Sequence, residues 1–470
     1  MGSYQEHRPR PASPESMPDG SNDDWKIEHA AGFGQLVRFR RDPLAYVGDL
    51  ARRSVDVRHI TIGRNHIFLI NQPDLIRDVL VTHDWNFTKS RGLRSSRPVL
   101  GQGMLTSEGE LHRRQRRLAQ PGFNRERLAR YAGEMIACAD QAANSWRDNA
   151  EYAIDQEMMR LTMQIVGRCL FSANVDGHAR DMGATLTQAL RMFNRLNSPL
   201  AQTLPPLRAL VERRARKFRA RLDAVLQSII ADHRAHPEQF DDLLSMLMGA
   251  RDENGATYMS DELLRDEAMT LFLAGHETTA NALTWTWYLL SQHPGAQQKL
   301  AEELQGELQG RLPTLDDMPR LRYTAQVIRE SMRLYPPAWI IGRQAVTAYQ
   351  LGSLPVPAGS TLFMSPFATQ RDERFWSRPL VFDPERWAEP DPARPKFAYF
   401  PFGAGTRVCI GEHFAMMEAI LVLATIAQRW RLVKATGPQV EMWPQITLRP
   451  RHAMHFVVQS VPKMRVAKLA

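Results

Sequence analysis

The sequence predicts a mainly α-helical protein with a small β region. From about residue 73 to 335 apolar residues recur with helical spacing. β-branched clusters are confined to 57–70, 338–364 and 445–459. After residue 410 the helical spacing returns (Phe414, Met417, Ile420, Leu421, Ala424, Ile426), predicting a helix that runs through Trp430. The 470 residues are 43% hydrophobic, which suffices for a large core, and no Gly/Ser-rich linker or internal repeat divides them.

Residues 1–24 hold Pro9, Pro11, Pro14 and Pro18 among polar residues without hydrophobic periodicity, so a disordered tail is expected there, followed by a single domain over 25–470. Residues 57–70 read as a hairpin around Gly63-Arg64-Asn65. The helical stretch is expected to break at Pro121, Pro199, Pro205-Pro206, Pro294 and Pro313. Within it, Ser260 can cap a helix with Asp261 and Glu262 in its first turn, running to about Gln292. At ~1.5 Å per residue such a helix crosses a whole domain.

Three cysteines argue against a disulfide framework and suit a reducing compartment, so a cytoplasmic location is expected. No apolar run is long enough for a transmembrane anchor, and no signal-peptide core is present. The net charge is +9, with eight lysines among 60 basic residues. These residues are dispersed along helical patterns and no nucleic-acid motif accompanies them, which argues against a nucleic-acid partner. Two clusters stand out: Arg113, Arg114, Arg116 and Arg117, and the run from Arg213 to Arg221, which reads as a solvated helix face.

The segment from Phe402 to Gly411 carries the most specific signal. Gly403 and Gly405 permit positive φ and a tight turn. Cys409 lies at the start of a helix, where free N–H groups and the dipole lower a thiol pKa. Gly411 leaves room beside it for a large planar ligand, and Arg407 is placed to pair with an anionic group on that ligand. The alternative is a buried structural cysteine, the reading given to Cys138 and Cys169.

Phe402, Gly405, Arg407, Cys409 and Gly411 match the pattern Phe-x-x-Gly-x-Arg-x-Cys-x-Gly, and the segment resembles the haem-binding loop of the cytochrome P450 superfamily. The resemblance covers roughly 45 to 460. It implies a soluble, bacterial-type haem-thiolate monooxygenase with the cytochrome P450 fold, its long central helix lying over the haem. It further implies haem b (iron protoporphyrin IX), with Cys409 as the iron ligand and Phe402, Gly403 and Gly411 beside the cofactor.

Ala274-Gly275-His276-Glu277-Thr278-Thr279 falls in the middle of the long helix. A mid-helix glycine costs about 1 kcal/mol relative to alanine. Either a ligand approaches closely, with Thr278 bonding back to a carbonyl and widening the helix, or the glycine serves packing. The segment resembles the family's oxygen-binding groove, Ala-Gly-x-(Asp/Glu)-Thr-(Thr/Ser). That implies Ala274 and Gly275 against the haem and Glu277 with Thr278 as the catalytic proton-delivery pair. His276 reads as an ordinary helix residue.

Glu330 and Arg333 share a helix face. Downstream, Pro384-Glu385-Arg386-Trp387 resembles the family's Pro-Glu-Arg-Phe segment, which implies a buried structural triad of Glu330, Arg333 and Arg386. His112 and Arg116, also one turn apart, fit the family's (Trp/His)-x-x-x-Arg pattern for haem propionates. Arg343 resembles another propionate-binding position, and Arg407 completes the set.

By the family's arrangement the substrate pocket is expected to include Phe87, Met104, Met192, Phe193, Leu271, Ala274, Trp339, Ile340 and Ile446. These are almost all apolar, which favours a small lipophilic substrate such as a fatty acid or a terpenoid or steroid-like molecule. No reductase motif follows the last strand-like segment. The resemblance therefore implies O2 as oxidant and NAD(P)H-derived electrons delivered by a ferredoxin and a ferredoxin reductase, to a monomer. Arg113, Arg114 and Arg117 offer a basic surface for an acidic donor. The alternative reading is a haem-thiolate enzyme that uses peroxide or catalyses dehydration or isomerisation. Glu277 and Thr278 speak against it, since peroxygenase members replace that pair with Arg and Pro. A third reading, a non-catalytic haem or ligand-binding protein, leaves the proton relay without purpose.

Overall fold

The structure, a computed structural model, describes residues 25–173, 205–250 and 259–461. Its longer helices are α1 (Phe33–Arg41), α2 (Pro43–Arg52), α3 (Gly109–Ala119), α4 (Arg125–Ser145), α5 (Ile154–Phe171), α6 (Pro205–Ala235), α7 (Asp261–Gln292), α8 (Pro294–Leu308), α9 (Arg322–Leu334) and α10 (Glu412–Ala427). The strands are β1 (Ile27–Ala31), β2 (Val57–Ile62), β3 (Asn65–Ile70), β4 (Phe87–Lys89), β5 (Glu151–Ala153), β6 (Ile341–Ala345), β7 (Tyr349–Leu351), β8 (Leu354–Val356), β9 (Thr361–Met364), β10 (Trp430–Lys434), β11 (Met442–Pro444), β12 (Leu448–Pro450) and β13 (His455–Ser460).

Helix α7 is the spine. Ser260 Oγ accepts the Leu263 N–H at 3.2 Å, so the cap read from sequence is formed. Most α7 side chains are buried on every face, including Trp285 and Trp287, because α5, α9, α10 and β10 all pack on it. One apolar core, built from α4, α5, α7, α9 and α10, surrounds it. A second lies under the six-stranded sheet, whose order is β1-β2-β3-β9-β6-β4. The 57–70 hairpin forms with β2 and β3 antiparallel, and β3 pairs in parallel with β9.

Two local expectations change. The helix after Cys409 ends at Ala427; Trp430 instead begins β10, paired residue for residue with β13, and its indole N–H donates to Ala143 O at 2.8 Å. β1, β4 and β5 were not anticipated. Strands of three to five residues show too little alternation, and each exists through a ladder to a distant segment. Pro205-Pro206 opens a helix, since proline fits a first turn. The tail, Pro199, Met192 and Phe193 lie outside the described residues. Cys138 and Cys169 are buried.

Candidate active site

The loop before α10 is held by its own backbone and by two neighbours. Gly403 and Gly405 have φ of +71° and +70°, the left-handed turn that their sequence permits. A Cβ on Gly405 would lie 1.9 Å from the Leu80 carbonyl oxygen, so only glycine allows the loop to rest on that segment. The Cys409 N–H donates to Phe402 O at 2.9 Å. Arg116 Nη1 donates to Val408 O at 2.7 Å, tying α3 to the residue before the cysteine. Asp84 accepts from the Thr406 hydroxyl at 2.5 Å.

Cys409 is exposed and in no disulfide. Crowding by protein atoms raises its thiol pKa, against the Gly411 N–H and the Arg116 guanidinium, which lower it. The helix terminus alone therefore does not make the thiolate anticipated from sequence; a coordinated metal ion, which deprotonates a thiol outright, is the agent that can.

A cluster of cationic groups lies beside this loop. Arg407 donates to Glu108 Oε2 at 2.7 Å and to Phe87 O at 2.8 Å, while its Nε is buried without a partner. Arg343 is buried and bonds the Gly342 carbonyl; burial and then Arg407 pull its pKa down to about 10. His112 Nδ1 lies 3.1 Å from Met104 O and its Nε2 is buried and unpartnered. Burial and then the Lys89 ammonium lower its pKa to about 4. Lys89 Nζ donates to Met104 O and Ser107 O, both at 2.7 Å. Lys89 N–H donates to Glu108 Oε1 at 2.5 Å, so this carboxylate bridges β4 and the cysteine loop. Several cations thus share one nearby acid, and two buried polar nitrogens lack partners. Anionic carboxylates on a ligand would satisfy both deficits, so these residues fit the two propionates of a haem. Lys89 and Glu108 had no sequence signal: a lone lysine in a short strand reads as an edge residue.

On α7, the Thr278 hydroxyl donates to Ala274 O at 2.8 Å, as anticipated. The helix stays α-helical throughout, so the anticipated widening is not seen. Gly275 packs against α5: a Cβ there would sit 3.0 Å from Val166, so close helix packing is one reason for the glycine. Glu277 is buried, and burial raises its pKa. Its Oε1 accepts from the Thr447 hydroxyl at 2.5 Å and lies 3.8 Å from Arg449 Nε.

Ala274, Glu277 and Thr278 line a cavity of about 1890 Å³ together with Leu273, Leu100, Leu105, Trp339, Ile340, Ile446 and Arg343. Phe87, Met104 and Leu271 are not among the residues lining this cavity. Phe87 is packed in the core under the sheet, edge-on to Tyr349. Met104 and Leu271 are buried in the helical core away from the cavity wall, Met104 with its N–H on Glu267. Successive positions on a strand face opposite ways and a helix distributes its side chains around its axis, and the sequence did not reveal which side of β4 and α7 held the cavity.

Glu330 receives two bonds from Arg333 at 2.8 Å, one from Arg386 Nε at 3.0 Å and one from the Trp387 indole at 2.9 Å, with no exposure on Glu330 or Arg333. Arg333 also donates to the carbonyls of Gln370 and Pro379 at 2.7 Å. Gln370, which sequence reading missed, donates to Met332 O and Arg333 O and accepts from Phe400 N–H, linking α9 to the strand-like approach to the cysteine loop.

The cytochrome P450 family model matches residues 30–457. Cyclooctatin synthase of Streptomyces melanosporofaciens is 36% identical over 90% of this chain and 94% of its own length. Cyclooctat-9-en-7-ol 5-monooxygenase of the same organism is 33% identical over 88% and 91%. Pentalenene oxygenase of Streptomyces avermitilis is 35% identical over 85% and 89%. None of the described helices is long and apolar enough to cross a membrane.

Proposed function

The chain belongs to the cytochrome P450 family and is a haem-iron monooxygenase, and on that premise we propose that it inserts one oxygen atom from O2 into a lipophilic terpenoid. The observation that carries this reading is the acid–alcohol pair Glu277 and Thr278 at the wall of a cavity that Leu100, Leu105, Leu273, Ile340 and Ile446 also line. The named relatives that act on cyclooctat-9-en-7-ol and pentalenene favour a terpenoid over a fatty acid.

In this reading Cys409 would supply the thiolate ligand of haem b, and Arg343, Arg407, Arg116 and His112 would hold the propionates. When bound, the haem would supply the iron centre that activates O2. Phe402, Gly403 and Gly411 shape the cysteine side of its seat. Thr278 Oγ1 holds a proton that it shares with Ala274 O at rest and can redirect into the cavity. Glu277, whose pKa burial raises, replenishes that hydroxyl. Leu273, Ile340 and Ile446 exclude water and hold an apolar substrate by contact alone. Electrons reach the enzyme from a ferredoxin and its reductase, drawing on NAD(P)H. The donor docks on the exposed Arg113, Arg114 and Arg117 of α3, whose inner face carries His112.

A terpene panel titrated into the ferric enzyme tests the substrate class. Cyclic terpene hydrocarbons or their mono-alcohols are expected to shift the spin state and to yield a hydroxylated product with NADPH and partner proteins. A panel in which only fatty acids shift the spectrum rules out the terpenoid reading; product formed with peroxide but not with reduced partner moves the enzyme to the peroxide-using class.

A further inference from the structure

The partner of Glu277 is not on its own helix. Thr447 follows Ile446 in the turn between β11 and β12, and its hydroxyl donates to Glu277 Oε1 at 2.5 Å while accepting from Asn281 Nδ2 at 3.1 Å. Glu277 and Asn281 are one turn apart on α7, so they grip a single hydroxyl between them. Arg449, two residues beyond Thr447 and so on the same side of the strand, places Nε 3.8 Å from the same carboxylate oxygen. The turn is anchored independently of this contact. Leu448 O accepts from the Trp285 indole at 3.0 Å and Leu448 N–H donates to Pro337 O at 2.9 Å. A fixed strand thus presents one hydroxyl and one guanidinium to a buried acid.

We propose that Thr447 is the positioning residue of the proton-delivery acid: it aims the Glu277 carboxyl group, and with Arg449 it stabilises the carboxylate left when that proton departs. The step balances simply. Glu277 loses one proton toward Thr278 and the cavity, becomes a carboxylate held by the Thr447 O–H and the Arg449 cation, and regains a proton from solvent water. Burial raises the pKa of Glu277, while Arg449 and Thr447 lower it. The two residues therefore counter the bias that burial sets against the carboxylate. The inference rests on the proton-delivery role proposed for Glu277.

Infrared difference spectra between the wild-type ferric holoenzyme and Glu277→Gln isolate this one carboxyl group without substrate or electron donor. In Thr447→Val the C=O band is expected to move to higher frequency, having lost its donor, and to persist to higher pH. Thr447→Ser restores both. During turnover the yield of product per NADPH is expected to fall about tenfold in Thr447→Val and to recover in Thr447→Ser, with the reduced carbon monoxide spectrum unchanged. A band that neither moves nor titrates differently overturns the proposal, as does a moved band with unchanged product yield. Should Thr447→Val fail to fold, Arg449→Leu carries the same test, with the band again persisting to higher pH. A moved band in an enzyme whose wild type oxidises nothing supports the positioning role and overturns the monooxygenase mechanism proposed above.

Discussion

Cys409 was legible because its context is local: five informative positions fall within ten residues. Replacing it with alanine is expected to abolish the red-shifted Soret band of the reduced carbon monoxide complex together with oxygenation; a retained band would exclude it as the ligand. Thr278→Ala is expected to leave electron consumption in place while diverting it from product to peroxide and water, measured as product per NADPH. Thr447, Lys89 and Glu108 were not legible, since each acts through a partner brought close by the fold: Thr447 meets an acid 170 positions earlier, and Glu108 an arginine 299 positions later. Glu267 is another such residue. It is fully buried beneath the Met104 N–H, and burial raises its pKa from 4.5 to about 7. Between those two pH values the unfolded chain has released this proton and the folded chain keeps it. Stability contributed through this group is therefore present below pH 4.5 and lost as pH rises toward about 7. Glu267→Gln is expected to flatten that slope in denaturant titrations across this range.

At the scale of elements, α7 was legible from its cap to its end because capping chemistry and apolar content are written along one continuous stretch. The short strands were not, because β4 and β5 owe their existence to β6 and β13. The cysteine loop shows both cases: its glycines announce a turn, but nothing announces that the turn rests on Leu80. Gly405→Ala is expected to cost at least about 1–3 kcal/mol from backbone conformation alone, with the clash against Leu80 O added, read as lower melting temperature and weaker haem retention. Glu330→Gln leaves Arg333 buried beside a neutral partner. A loss of about 3–5 kcal/mol is expected, with little change in the spectrum of whatever folded holoenzyme remains.

Across the whole molecule, the excess of positive charge is a property that sequence states directly, whereas its placement is not. If the exposed arginines of α3 receive an acidic electron donor, the rate of reduction is expected to fall steeply as ionic strength rises above about 0.1 M, where the Debye length is ~10 Å. Arg113→Glu with Arg117→Glu should remove most of that salt dependence, and stopped-flow reduction measures it. The mainly α class was visible in periodicity, while the mixed six-stranded sheet was not, because its middle is joined by the parallel pairing of Ile67–Ile70 with Thr361–Met364. That pairing sets a schedule for synthesis. When residue 70 leaves the ribosome, one flank of its strand stays unsatisfied until about 290 further residues have followed, a wait of roughly 15–60 s at ordinary elongation rates. For that interval the nascent hairpin carries an open, β-branched edge of the kind that invites wrong partners. A chaperone or the helices made meanwhile must shield it, and slowing translation between the two strands should lower the yield of folded enzyme.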